Sequence, residues 1–225
     1  MARCPFAEQR PITGSSGSYT GKPFKIVHHT TEGSSAAGAF AAYAQKRCDP
    51  HFTVDAATVF QHVDTDVAAR ALRNAPGGVQ TNRDGAIQIE VVGFAGKSKN
   101  ARTLGNVARL CRWIEQTHGV PRVWPSGPPK THRDGRDPGG HNRDAAAWDG
   151  QSGHYGHSQV PENTHWDPAY DRVEREYLFA AEFDENGRPA NPDHPAVAAL
   201  ADRPVPFDEP EPEVMLDHAD VGEPE

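Results

Sequence analysis

Six side chains in three separate stretches have the types and spacing for chemistry at a metal. His28 and His29 close the apolar run Phe24-Lys25-Ile26-Val27, and Glu90 lies inside Ala86-Ile87-Gln88-Ile89-Glu90-Val91-Val92-Gly93. Downstream, Gly156-His157-Ser158 and Thr164-His165-Trp166-Asp167-Pro168 bring His157, His165 and Asp167 within eleven residues. Two imidazoles and a carboxylate leave a tetrahedral Zn²⁺ one open position, as a catalytic zinc site requires. Each residue alone has a plainer account: a strand-end hydrogen bond, an ion pair with arginine, a turn before proline. The chain has 12 histidines, so position has to select among them. His29, His62, His141 and His154 are assigned structural or substrate-side places.

These residues need elements to hold them. Residues 24–27 carry a strand signal that delivers His28 and His29 to a strand end. Ser34 and Ser35 are fit to cap a helix over 36–46, and Cys48-Asp49-Pro50 closes it. Strand-like runs follow at 51–54 and 58–63. In the β-branched run 86–93, alternation puts Gln88 and Glu90 on one face, so Glu90 is a carboxylate on a central strand. Val107, Leu110, Cys111 and Ile114 recur at helical spacing over 106–118, ended by Gly119 and Pro121. Residues 124–156 show almost no periodicity and read as one long loop rich in Gly, Pro and charge. A last helix is expected over 170–181. Strands and helices interleaved along one chain give an α/β fold, a mixed central β-sheet flanked by α-helices, in a single domain with long loops.

Composition sets the frame. The 225 residues suit one catalytic domain, and 36% hydrophobic residues with 21 Gly and 20 Pro imply a small core under large loops. Residues 182–225 carry 13 acidic and 2 basic side chains and eight prolines, which leaves residues 1–181 at +3 within a total of −8. Three parts are therefore expected: an irregular lead-in over 1–23, a catalytic domain over 24–181, and an acidic, Pro-rich tail over 182–225, extended or disordered. Three roles are open to the tail: to shield the basic body, to dock on a protein partner, or to keep the chain soluble. The small basic excess does not argue for nucleic acid. No apolar run approaches the length that spans a bilayer, so membrane insertion is not expected, and the first residues lack a signal peptide's apolar stretch. Synthesis in the cytoplasm follows. Cys4, Cys48 and Cys111 show no C-x-x-C spacing, and a Cys4–Cys48 bridge stays open.

The order of motifs, an apolar strand ending His-His-Thr, an Ile-x-Ile-Glu strand, then Gly-His-Ser-x-Val-Pro-x-x-x-His-Trp-Asp-Pro, resembles the zinc-dependent N-acetylmuramoyl-L-alanine amidases. That family includes phage endolysin amidase domains and peptidoglycan recognition proteins. The chain is most similar to endolysin amidases of phages that infect actinobacteria, over about residues 22–181. The resemblance implies His28, His157 and Asp167 as zinc ligands, with His29 as a neighbour. It implies Glu90 as the group that positions or deprotonates a zinc-bound water. His165 stands where many members carry Lys to stabilise an oxyanion. Pro50 stands where some relatives place a tyrosine.

The implied activity is hydrolysis of the amide between N-acetylmuramic acid and L-alanine of the peptidoglycan stem, on the cell wall after release by a holin or a specialised secretion route, or on recycled wall fragments inside the cell. Trp148, Tyr155 and Trp166 are candidates to pack on sugar or peptide. Arg143, with Lys130, Arg133 and Arg136, is placed to meet stem carboxylates. Two rivals remain. One is a peptidoglycan-binding module without catalysis. The other is a two-His-one-carboxylate iron oxygenase using His165 and Asp167 with His194 or His218.

Overall fold

The computed structural model describes residues 2–203. Its centre is a six-stranded mixed sheet in the order β1-β4-β3-β5-β2-β6. The strands are β1 (Glu8–Gln9), β2 (Lys25–Thr30), β3 (Phe52–Val54), β4 (Val59–Gln61), β5 (Ala86–Val91) and β6 (Gly153–Gly156). Strands β3, β5, β2 and β6 run parallel, β4 is antiparallel to β3, and β1 runs parallel to β4. Central β2 and β5 are buried at every residue. Such strands read as apolar runs because both faces are covered.

Five helices complete the fold: α1 (Ala36–Lys46), α2 (Ala101–His118), α3 (Ala145–Gly150), α4 (Arg172–Ala180) and α5 (Pro195–Ala201). Ser35 caps α1 by accepting from Gly38 N, and Asn100 caps α2 by accepting from Arg102 and Thr103 N. Capping satisfies N–H groups that have no partner within the helix. Asp171 and Glu174 form a reciprocal capping box on α4. Gly85, at φ +77, leads into β5. A Cβ there would meet the Pro23 carbonyl oxygen at 2.4 Å, so the close approach of the two backbones needs glycine.

Period-two alternation divides the sheet. Ile26, Ile87, Ile89, Phe52, Val54 and Val91 face α2 and form the main core with Leu104, Val107, Leu110, Cys111 and Ile114. Burying each large aliphatic side chain is worth about 1.5–3 kcal/mol. On the other face, Val27 joins Leu72, Trp148, Tyr155 and Val160 in a second cluster. Farther along that face, α1 lies over β3, where the Tyr43 hydroxyl is 2.7 Å from Thr53 Oγ1.

Three expectations change. The stretch 124–156 is not one loop, because it contains α3 and β6. Residues 182–203 are not an extended or disordered tail: α5 buries Val197 and Leu200 in the main core, and Arg203 pairs with Asp171 and Glu174 of the α4 capping box. The rest of the acidic tail, including His218, lies outside the described residues. All three cysteines are free, so Cys4 and Cys48 are not bridged. Among the described residues, no helix is long and apolar enough to cross a membrane.

Candidate metal centre

His28 and His29 are consecutive on β2, so they face opposite sides of the sheet. His29 stands in register with Glu90 of β5, and Glu90 with Thr53 of β3, which makes one row on the α1 side. Here the expectation for His28 is corrected. Its ring points into the α2 side, and His29 meets His157 and Asp167.

His29 Nδ1 lies 3.0 Å from His157 Nδ1, and His157 Nδ1 lies 3.2 Å from Asp167 Oδ1. Ligand atoms of these three residues all fall within 4.8 Å of one another, and all three residues are buried. Two ring nitrogens aimed at each other, with a carboxylate oxygen beside them, converge as a shared cation requires. The surroundings fit the same purpose. Asn163 Oδ1 accepts from Arg73 N at 3.0 Å and lies 3.1 Å from His157 Nε2, so the histidine carries its proton on Nε2 and turns a lone pair on Nδ1 toward His29. Thr30 N donates to Asp167 Oδ2 at 2.9 Å, which leaves Oδ1 to face the imidazoles. Ser158 N donates to the Asp167 carbonyl at 2.9 Å and locks together the two loops that carry His157 and Asp167. The donor set and its outer hydrogen bonds therefore suit a zinc ion.

Charge distribution separates the two carboxylates. Burial raises the Asp167 carboxyl, but the imidazoles that face it, His157 first and then His29 and His165, outweigh it and hold the group far below the ordinary carboxylate range. Glu90 goes the other way. Burial first, then the charges of Asp167 and Glu32, push it well above the carboxylate range. Its Oε1 is 3.9 Å from His29 Nδ1. A carboxyl that holds a proton easily, next to one that stays ionised, is the pairing that acid–base work needs. Cys48 Sγ sits 4.0 Å from the same Glu90 oxygen.

His165 lies at the mouth of the site with its side chain 37% exposed, stacked on His157 at 4.6 Å. Burial and the His157 charge lower its pKa, against the pull of Asp167, so it is neutral at neutral pH. Arg143 Nη2 donates to the His165 and Thr164 carbonyls at 2.9 and 3.3 Å, and so braces the backbone of the His165 loop. Trp166 is half-buried beside it. Trp148 and Tyr155 are not at the site, which corrects their assignment to substrate. Both are fully buried, edge to face at 5.2 Å, with Lys25 Nζ over the indole. The Tyr155 hydroxyl is committed to the Ala147 and Gln151 carbonyls. His194 caps α5 through Ala196 N, which removes one distant ligand of the iron reading.

Asn163 and His29 were the residues missed from sequence. Asn163 lies inside the motif already quoted, and a polar side chain six residues after a ligand histidine is a weak signal. His29 needed the register of β2 against β5.

A parallel-centred sheet carries a buried His-His-Asp cluster at its strand ends, with a high-pKa glutamate beside it, and this donor set could hold a metal ion. The family follows from residues 20–170, which match the model described as Amidase_2, N-acetylmuramoyl-L-alanine amidase. The chain belongs to this family. Among solved structures, a selenomethionine AmpD derivative shares the fold at 15% identity and a TM-score of 0.50, over 78% of this chain and 96% of that one. The amidase LysC of Clostridium intestinale URNW aligns at 14% identity and 0.49, covering 77% and 96%. Staphylococcus aureus AmiA aligns at 19% and 0.49, covering 74% of each chain. No curated protein sequence matches the chain.

Proposed function

We propose that this protein is a zinc-dependent peptidoglycan amidase that cleaves the bond between N-acetylmuramic acid and L-alanine, with His29, His157 and Asp167 as ligands. The observation that carries the reading is the convergence of these three donors beside Glu90. A bound zinc ion supplies Lewis acidity and lowers the pKa of water toward ~7. Glu90, held against the row of His29, takes the proton of the attacking water and delivers it to the leaving nitrogen. Neutral His165 gives one N–H to the developing oxyanion, a weaker donor than a lysine ammonium at the same place. Trp166 is the aromatic left to pack on substrate.

The retained ligand set and Glu90 favour catalysis over binding alone. The motif resemblance to endolysins of actinobacterial phages supports a lytic enzyme acting on the wall after release from the cell. The test is digestion of purified muropeptides followed by mass spectrometry. Free stem peptide with the parent, and none with His29→Ala, is the expected result. Equal cleavage by His29→Ala would refute the ligand set, and intact muropeptide with zinc-loaded parent would refute the activity.

A further inference from the structure

On the opposite face of β2 a second group of donors converges. His28 Nε2 is 3.0 Å from His154 Nδ1, and Cys111 Sγ of α2 lies within 4.8 Å of both. His28 and Cys111 are 0% exposed and His154 1%. We propose that His28, His154 and Cys111 form a second metal site, with three protein donors, for a thiolate-binding d¹⁰ ion of the zinc class. The site would be independent of the catalytic one and would tie β2, β6 and α2 together.

The outer hydrogen bonds are those of ligand histidines. The Tyr170 hydroxyl lies 3.2 Å from His28 Nδ1, and Glu115 Oε1 lies 3.1 Å from His154 Nε2. Each imidazole is thus held at its far nitrogen while its near nitrogen faces the cluster. Arg122 Nε donates to Glu115 Oε2 at 2.7 Å and keeps that carboxylate ionised and fixed. The Cys111 thiol has no hydrogen bond among the described residues. Two imidazoles and one sulfur select zinc or copper over hard ions such as magnesium. Adjacent residues of one strand, His28 and His29, would then each serve a different metal.

Spectroscopy separates the two sites. The catalytic donors are nitrogen and oxygen, so a thiolate-to-cobalt charge-transfer band reports the second site alone. Full-length protein is produced in cobalt-supplemented minimal medium, and metal content and absorption are measured for the parent, Cys111→Ser, His154→Gln and His157→Ala. The expected result is two equivalents and a charge-transfer band in the parent. Cys111→Ser and His154→Gln should each keep one equivalent and lose the band, and His157→Ala should keep one equivalent with the band. One equivalent in the parent that disappears in His157→Ala, or a band that survives Cys111→Ser, would overturn the second site and leave the catalytic reading standing. One equivalent that persists in His157→Ala and is lost in Cys111→Ser would uphold the second site and overturn the catalytic ligand set.

Discussion

Asn163 fixes the tautomer of His157: its Oδ1, already accepting from Arg73 N at 3.0 Å, lies 3.1 Å from His157 Nε2. Removing that acceptor frees the imidazole to rotate and to carry its proton on the nitrogen that faces His29. Asn163→Ala should therefore weaken zinc binding by about 10- to 100-fold, the usual cost of losing an outer partner. Competition with a chromogenic chelator measures this, and an unchanged affinity would mean that the tautomer is fixed elsewhere.

In the proposed mechanism Glu90 acts on protons and is not among the metal donors. Glu90→Gln should keep bound zinc while kcat falls by about 10²- to 10⁴-fold, the range of general acid–base catalysis. Loss of zinc from this variant would instead make Glu90 part of the metal's coordination.

Two buried histidines, His51 and His62, contribute to the loss of stability in acid. His51 accepts from Gln88 N at its Nδ1 and bonds the Val67 carbonyl through Nε2. His62 bonds the Arg10 carbonyl through Nδ1 and takes Thr53 Oγ1 at Nε2. Each ring is thus committed to its neutral form, and burial lowers both pKa values to about 4. The unfolded chain binds these protons near pH 6.5. The stabilisation is therefore complete above that pH, declines as pH falls from 6.5 to 4, and changes no further below. The limit is about 3 kcal/mol per histidine, from 1.36 kcal/mol per pKa unit. Urea titrations at pH 7, 5.5 and 4 should show the slope, and a His51→Gln/His62→Gln double variant should flatten it. An equal slope in that variant would assign acid sensitivity to other groups.

Trp148 is a core residue. Trp148→Ala should cost about 3–5 kcal/mol of stability, as truncation of a buried aromatic does, while KM of the protein that stays folded is unchanged. A raised KM with intact stability would return the indole to the substrate.

Much of this was legible in the sequence. The β-branched runs of β2 and β5 and the amphipathic pattern of α2 are readable locally, although α2 begins at Ala101 rather than Asn106, and the His157-to-Asp167 spacing singles out two residues that meet in the structure. What escaped depended on neighbours distant in sequence. Whether His28 or His29 meets His157 is decided by the register of β2 against β5 and β6, which no single strand encodes. Gly153-His154-Tyr155-Gly156 has no β-branched residue and only four positions, so β6 is made a strand by pairing with β2. The helix Pro195–Ala201 lay hidden in an acidic, proline-rich context, although Pro at its first position is a normal start. Trp148 and Tyr155 looked available because composition does not report burial.

The short strand β1 has a consequence of its own. Glu8 and Gln9 occupy one border of the sheet, and the four-residue β6 occupies the other. Both borders are thus too brief to template another chain, which is how sheets resist edge-to-edge association. Trimming the N-terminal arm would make the three-residue β4, with Val59 and Phe60, the new border. The two-residue β1 thus closes that border of the sheet over β4.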